Sequence, residues 1–138
     1  MMHTPYQERL GHPADFRVKY RFYSAEEGGR KTIPHQRYRS DFWYSHPDHK
    51  ANELFMIWPE FENDRGEIIL EDNKSVPAQG KARMWIIVPQ RRVYHFDKIR
   101  IGLKGYFMEG PKKVAECEVI EIIGLQTNPT VDNLNNKK

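Results

Sequence analysis

A single cysteine, Cys117, leaves the chain unable to form an internal disulfide or a cysteine-based zinc finger. No apolar run approaches the roughly 20 residues that span a bilayer, and residues 1–15 lack the hydrophobic centre of a signal peptide. No stretch of ten or more residues repeats its apolar positions every 3.6 residues, which removes the helical bundles. The phosphate-loop pattern GxxxxGK[ST] is absent. The one Gly-Gly pair, Gly28–Gly29, is followed by Arg30 and not by a strand-to-helix phosphate cradle, so neither GTP nor ATP is an expected ligand. With charged residues at 30% and a mean hydropathy of −0.81, the expectation is a polar-surfaced, soluble, cytoplasmic protein with no membrane partner.

What is present makes a core possible. A length of 138 residues is one domain's worth. Three Trp, seven Tyr and seven Phe supply apolar surface that disordered chains lack. The net charge of +3 is unevenly spread. Residues 60–72 hold Glu60, Glu62, Asp64, Glu67, Glu71 and Asp72 against Arg65, so this segment carries −5 and the remainder about +8. A basic body with one acidic segment is able to present a cationic face to a polyanion.

The dominant period is two. In FRVKYRF (Phe16–Phe22), Phe16, Val18, Tyr20 and Phe22 alternate with Arg17, Lys19 and Arg21, which predicts a half-buried strand. Residues 81–88 (KARMWIIV) put Met84 and Ile86 on one side and Arg83 and Trp85 on the other. Residues 98–104 (KIRIGLK) predict a strand with Ile99, Ile101 and Leu103 inward. Residues 113–123 alternate through Ala115, Cys117 and Val119, then slip at Ile120 and Glu121, which predicts a bulge or twist. Shorter strands are expected at 38–44, 53–58 and 67–71. Nine Pro and nine Gly punctuate the chain. The pattern reads as an all-β sandwich or barrel, with the barrel slightly favoured because closure removes exposed edges. Residues 1–15 read as a flexible arm, 16–124 as the β-barrel domain and 125–138 as a flexible tail.

Catalytic chemistry finds little footing. His46-Pro47-Asp48-His49 pairs two imidazoles with an acid, but its proline and spacing read as a turn, with metal binding as the alternative. Cys117 stands between Glu116 and Glu118, whose charges raise a thiol's pKa, so it reads as structural. Acid pairs such as Glu60 with Glu62 mark no pocket. No cofactor, no metal and no enzymatic activity are expected.

Residues 24–44 (SAEEGGRKTIPHQRYRSDFWY) are more specific. Gly28–Gly29 after two acids reads as a turn needing positive φ. Arg30, Lys31, Arg37 and Arg39 then interleave with Tyr38, Phe42, Trp43 and Tyr44, a composition suited to phosphate contact and base packing, or to an ordinary aromatic strand among solvated cations. Without a gap, Phe16, Ser24, Glu27, Gly28, Gly29, Arg30, Thr32, Tyr38, Arg39 and Phe42 resemble the start of the C-terminal (third) β-barrel domain of translation elongation factor Tu. Glu109-Gly110 and the strand that follows to Gly124 resemble that domain's last hairpin. About 110 residues are covered, roughly a third of them specifically.

The resemblance implies a closed six-stranded antiparallel barrel standing alone, without the GTPase domain or the second barrel. It implies that Arg30 and Arg39 occupy the positions of arginines reaching tRNA phosphate, and that Glu109 and Gly110 match the pair meeting the T stem. Lys31 stands where the family usually has His, and Asp41 where it usually has Gln. Two partners are therefore expected. A protein that normally recognises elongation factor Tu is placed first, which makes this chain an interaction module or mimic. A tRNA-like RNA is placed second, held by Arg30, Lys31, Arg39 and the outward Arg17, Lys19 and Arg21 stripe.

Overall fold

The strictest alternation in the sequence becomes the centre of the sheet. In the computed structural model, which describes residues 2–131, β1 (Phe16–Phe22) buries Phe16, Val18, Tyr20 and Phe22 and turns Arg17, Lys19 and Arg21 outward. Five strands follow: β2 (Asp41–Trp43), β3 (Ile57–Phe61), β4 (Gln79–Ile86), β5 (Lys104–Glu109) and β6 (Lys112–Ile122). They form one antiparallel sheet in the order β2-β5-β6-β1-β4-β3. The fold is all-β, with two short helices, α1 (Tyr6–Leu10) and α2 (Arg92–His95). Among the described residues no helix is long and apolar enough to cross a membrane.

The sheet curls into a half-barrel whose edge strands approach one another. Phe42 of β2 and Phe55, just before β3, exchange backbone hydrogen bonds of 2.9 and 3.0 Å. Six residues further along, the Gln36 side chain imitates a strand: its amide donates to Phe61 O (2.9 Å) and accepts from Phe61 N (2.9 Å). Pro59 lies between. Alternation along β3 turns its missing N–H to the same side as the Phe61 N–H, away from the β4 ladder, which is where an edge strand tolerates proline.

The concave face holds the core. Tyr20 meets Phe61, Phe22 and Phe107 at ring-centre separations of 5.2, 5.5 and 5.9 Å. Met84, Ile86, Ile99, Val119 and Cys117 are buried around them, and burial pushes the Cys117 thiol's pKa up. The slip in β6 is a bulge: Arg17 pairs with Glu121 and Val18 with Val119, which leaves Ile120 without a partner on β1.

Several expectations are corrected. Residues 98–104 form turns up to the first residue of β5, Lys104. Lys98 N and Ile99 N both donate to His95 O (3.1 Å), continuing the α2 turn, and Gly102 reverses the chain at φ +93°. Ile99 is buried as expected, but Ile101 is 69% exposed. The 67–71 segment makes only isolated bridges, from Ile68 to Glu62 and from Glu71 to Met2, and β3 begins at Ile57 and not at residue 53.

The expected arm is folded. His3, Tyr6, Ala14 and Asp15 are buried against the convex side of β3 and β4. The reason lies in β4, which is apolar on both faces: Met84 and Ile86 face the core, and Trp85 on the other side needs a cover. Tyr6 supplies it, edge-on at 5.7 Å. Buried Glu60 secures the strap by accepting from His3 Nε2 (2.5 Å), Tyr6 N (2.9 Å) and Trp85 Nε1 (3.1 Å). At the other end Leu125 and Asn128 are also buried, so the tail docks at least as far as Pro129. Residues 132–138 of the expected tail lie outside the described residues.

Candidate functional site

The turn at 24–29 sets the geometry of the Gly-Gly-Arg segment. Ser24 and Glu27 cap each other: Ser24 N donates to Glu27 Oε1 (2.9 Å) and Glu27 N to Ser24 Oγ (3.2 Å). Arg21 grips Glu27 through both guanidinium nitrogens (2.9 and 3.1 Å), and these bonds hold the Glu27 carboxyl's pKa down at about 2. Gly28 takes φ +93°, as the sequence requires. Gly29 is needed for another reason: a Cβ there would lie 2.8 Å from Tyr23 Cβ and closer still to the Tyr23 carbonyl.

Arg30 leaves this turn toward the β5–β6 hairpin. Its Nη1 and the Tyr38 hydroxyl both donate to Glu109 Oε2, its Nε donates to Thr32 O (3.1 Å), and its guanidinium lies 5.1 Å from the Tyr38 ring centre. Burial alone would raise the Glu109 pKa. The Tyr38 and Arg30 bonds outweigh it, and the carboxyl titrates below its ordinary range. Gly110 turns the hairpin at φ +57°. Arg30, Tyr38, Glu109 and Gly110 are therefore one cluster. Asp41 pairs in register with Met108, the residue before Glu109, and no side-chain contact among the described residues ties it to the cluster. Lys31 is exposed beside Arg30. Arg39 departs from the group: its guanidinium stacks on Trp58 of β3 at 4.5 Å.

Because the folded pKa of Glu109 is depressed, its stabilising pairing is complete above the ordinary carboxylate pKa and lost as pH falls through the folded value. Glu109→Gln should accordingly cost about 1 kcal/mol or less at neutral pH, as expected for a half-exposed pair. The gap from wild type should close below about pH 4. Urea midpoints measured from pH 7 to pH 3 would test this, and a gap independent of pH would refute the pairing.

The basic stripe of β1 is occupied. Arg17 forks onto Glu62 (2.6 and 2.8 Å) and approaches Glu121 (3.6 Å); Lys19 lies 3.8 Å from Glu118; Arg21 adds Glu116 (3.6 Å) to Glu27. Lys104 of β5 reaches Glu118 from the other side at 3.0 Å. The acidic 60–72 segment is likewise not a free anionic surface. Glu60 and Glu62 are buried, Glu62 also receives Arg83 (3.2 Å), and Asp72 lies 3.2 Å from Arg37. The carboxylates of β6 that quench the stripe are visible in the sequence as Glu116 and Glu118, but only the register shows that they lie opposite Arg21 and Lys19.

The His46–His49 segment is a turn in which His46 Nδ1 accepts from Asp48 N (3.1 Å). His49 Nδ1 lies 2.7 Å from the Tyr94 hydroxyl, and His95, whose pKa burial pushes down to about 3, has its Nδ1 2.5 Å from the Tyr44 hydroxyl. Among the described residues no group of three or more His, Cys, Asp or Glu is arranged to hold a metal ion. Compared with family models and with curated proteins, the chain matches none of them.

Proposed function

We propose that the chain is a non-catalytic, cytoplasmic protein-interaction module, a counterpart of the third domain of elongation factor Tu that engages a protein recognising that factor. One observation carries the choice: the cations that would grip an RNA backbone already hold carboxylates. Arg30 is spent on Glu109, and Arg17, Lys19 and Arg21 are spent on Glu62, Glu118, Glu27 and Glu116. A phosphate would have to displace each pair, and Lys31 and Arg39 are then the candidate cations left without a carboxylate at salt-bridge distance among the described residues.

The reading includes a closed barrel. Extending the antiparallel register of the Phe42–Phe55 bridge sets Arg39 opposite Trp58 and Gln36 opposite Phe61, and both contacts occur. The segment 36–42 then runs beside β3 as the closing staves would.

RNA binding is the second reading, supported by the exposed Lys31 and Arg39 near an aromatic segment. Capture of partners from native lysate, with and without RNase, separates the two. The expected result is a protein retained after RNase treatment, with weak tRNA binding whose log K falls with log salt at a slope near −2, the value for two or three phosphate contacts. Capture abolished by RNase would overturn the proposal. So would tight tRNA binding that Arg39→Ala weakens and Asp41→Gln strengthens.

A further inference from the structure

The side of the sheet under α1 carries apolar surface that the fold does not cover. Met56 is 48% exposed, and its carbonyl accepts from Ile87 N (3.1 Å), which places it beside Ile87. Trp58 pairs with Trp85, so Met56, Trp58 and Ile87 lie on one face. Trp85 is sealed by Tyr6, whereas Trp58 and Ile87 are only partly buried. Leu10 and Val88 are exposed as well: Leu10 is four residues from Tyr6 on α1, and Val88 follows Ile87.

Two cations lie beside this patch. Arg39 lies over Trp58, and Arg9 lies 5.7 Å from the Tyr6 ring centre, three residues along α1 and so on the same side of the helix. Neither has a carboxylate at salt-bridge distance among the described residues. The carboxylate beneath them, Glu60, is buried and held by His3, Tyr6 and Trp85. Glu8 sits two residues from Tyr6, on the opposite side of α1.

We propose that the Met56–Trp58–Ile87 face, flanked by Arg39 and Arg9, is the docking surface for an acidic amphipathic peptide segment of a protein partner. Its apolar side chains cover Met56, Trp58 and Ile87, and its carboxylates reach the two guanidinium groups. This deepens the protein-interaction reading and rests on it. Two isolated cations on an aliphatic and aromatic surface suit a peptide better than a nucleic-acid backbone, which needs a row of cations and little aliphatic area.

The test uses the full chain and a fluorescein-labelled 14-residue peptide in which Leu and Trp recur at helical spacing between glutamates, read by anisotropy. Saturable binding is expected. It should weaken at least tenfold in the Glu→Gln form of the peptide, in Met56→Glu and in Arg39→Glu. Arg100→Glu, on the turn before β5, should bind as wild type does. Both test substitutions are at exposed positions, and circular dichroism confirms folding. The proposal is overturned by no saturable binding, by wild-type affinity in both variants, or by an oligouridylate binding at the same face more tightly than the peptide. If lysate capture is RNase-resistant yet unchanged in Met56→Glu and Arg39→Glu, the interaction reading stands and this surface does not. If capture is lost to RNase, the interaction reading itself fails.

Discussion

Asp15→Ala is expected to destabilise the protein by about 3–5 kcal/mol, because it strands a buried guanidinium without its carboxylate. Asp15 and Arg92 are both fully buried. Asp15 Oδ1 accepts from Arg92 Nε (2.7 Å) and Asn128 Nδ2 (3.0 Å), and Oδ2 from Ile86 N (2.7 Å) and Arg92 Nη2 (3.3 Å). Arg92 also donates to Ile86 O (2.9 Å) and to Pro129 O. One carboxylate thus ties the end of the N-terminal strap to β4, to α2 and to the segment after β6. A loss of that size is a large share of the 5–15 kcal/mol that holds a typical domain together. Replacing both partners by apolar residues, Asp15→Leu with Arg92→Met, should recover part of it. The buried charges then leave together, but Ile86 N and Asn128 still lose an acceptor. Urea unfolding measures both variants, and a loss under about 1 kcal/mol for Asp15→Ala would show that water reaches the pair.

The Asp15 knot also marks where the sequence was hard to read. β1 was legible to the residue because its alternation is uninterrupted, and the slip at Ile120 named the bulge that keeps Glu121 opposite Arg17. Residues 98–104 alternate just as regularly, yet Gly102 and the continuation of α2 turn them out of the sheet. Period two at three apolar positions does not distinguish a strand from two successive turns. The strap was missed because residues 2–15 have no period of their own. Its signal lay elsewhere, in Trp85 of β4 and Ile87 just beyond it, on the side that should have met solvent. Of the candidate site, Arg30, Arg39 and Glu109 were named separately as contact residues. That Arg30 pairs with Glu109 while Arg39 stands apart was not legible, because it depends on how the edge segment lies across Trp58 and the β5–β6 hairpin. The neutralised stripe was hidden for the same reason: strand register is a property of pairs, and one strand's sequence does not state it.

The edge where β2 meets Phe55 yields the other large effect. Phe42→Ala should cost about 3–5 kcal/mol, the usual range for emptying a buried phenylalanine site. The ring is fully buried, 5.8 Å from Phe16 and 6.0 Å from Tyr44, and its residue carries both hydrogen bonds to Phe55. It also lies directly over Gly105 of β5, where an added Cβ would stand 2.8 Å from Phe42 Cε1 and nearer to Cζ. Gly105→Ala alone should therefore overpack the site and cost about 1–3 kcal/mol. With Phe42 already removed, the same methyl enters the space the ring has left, and Gly105→Ala should be close to neutral. The two substitutions are thus expected to couple by about 1–3 kcal/mol in a double-mutant cycle. Hydrogen exchange supplies an independent readout, because the Phe55 amide that donates to Phe42 O should lose protection in Phe42→Ala as the edge frays. If Gly105→Ala costs the same in both backgrounds, the glycine is required by the backbone of β5 and not by the ring, and the close approach of Phe42 to β5 is not what holds this edge in place.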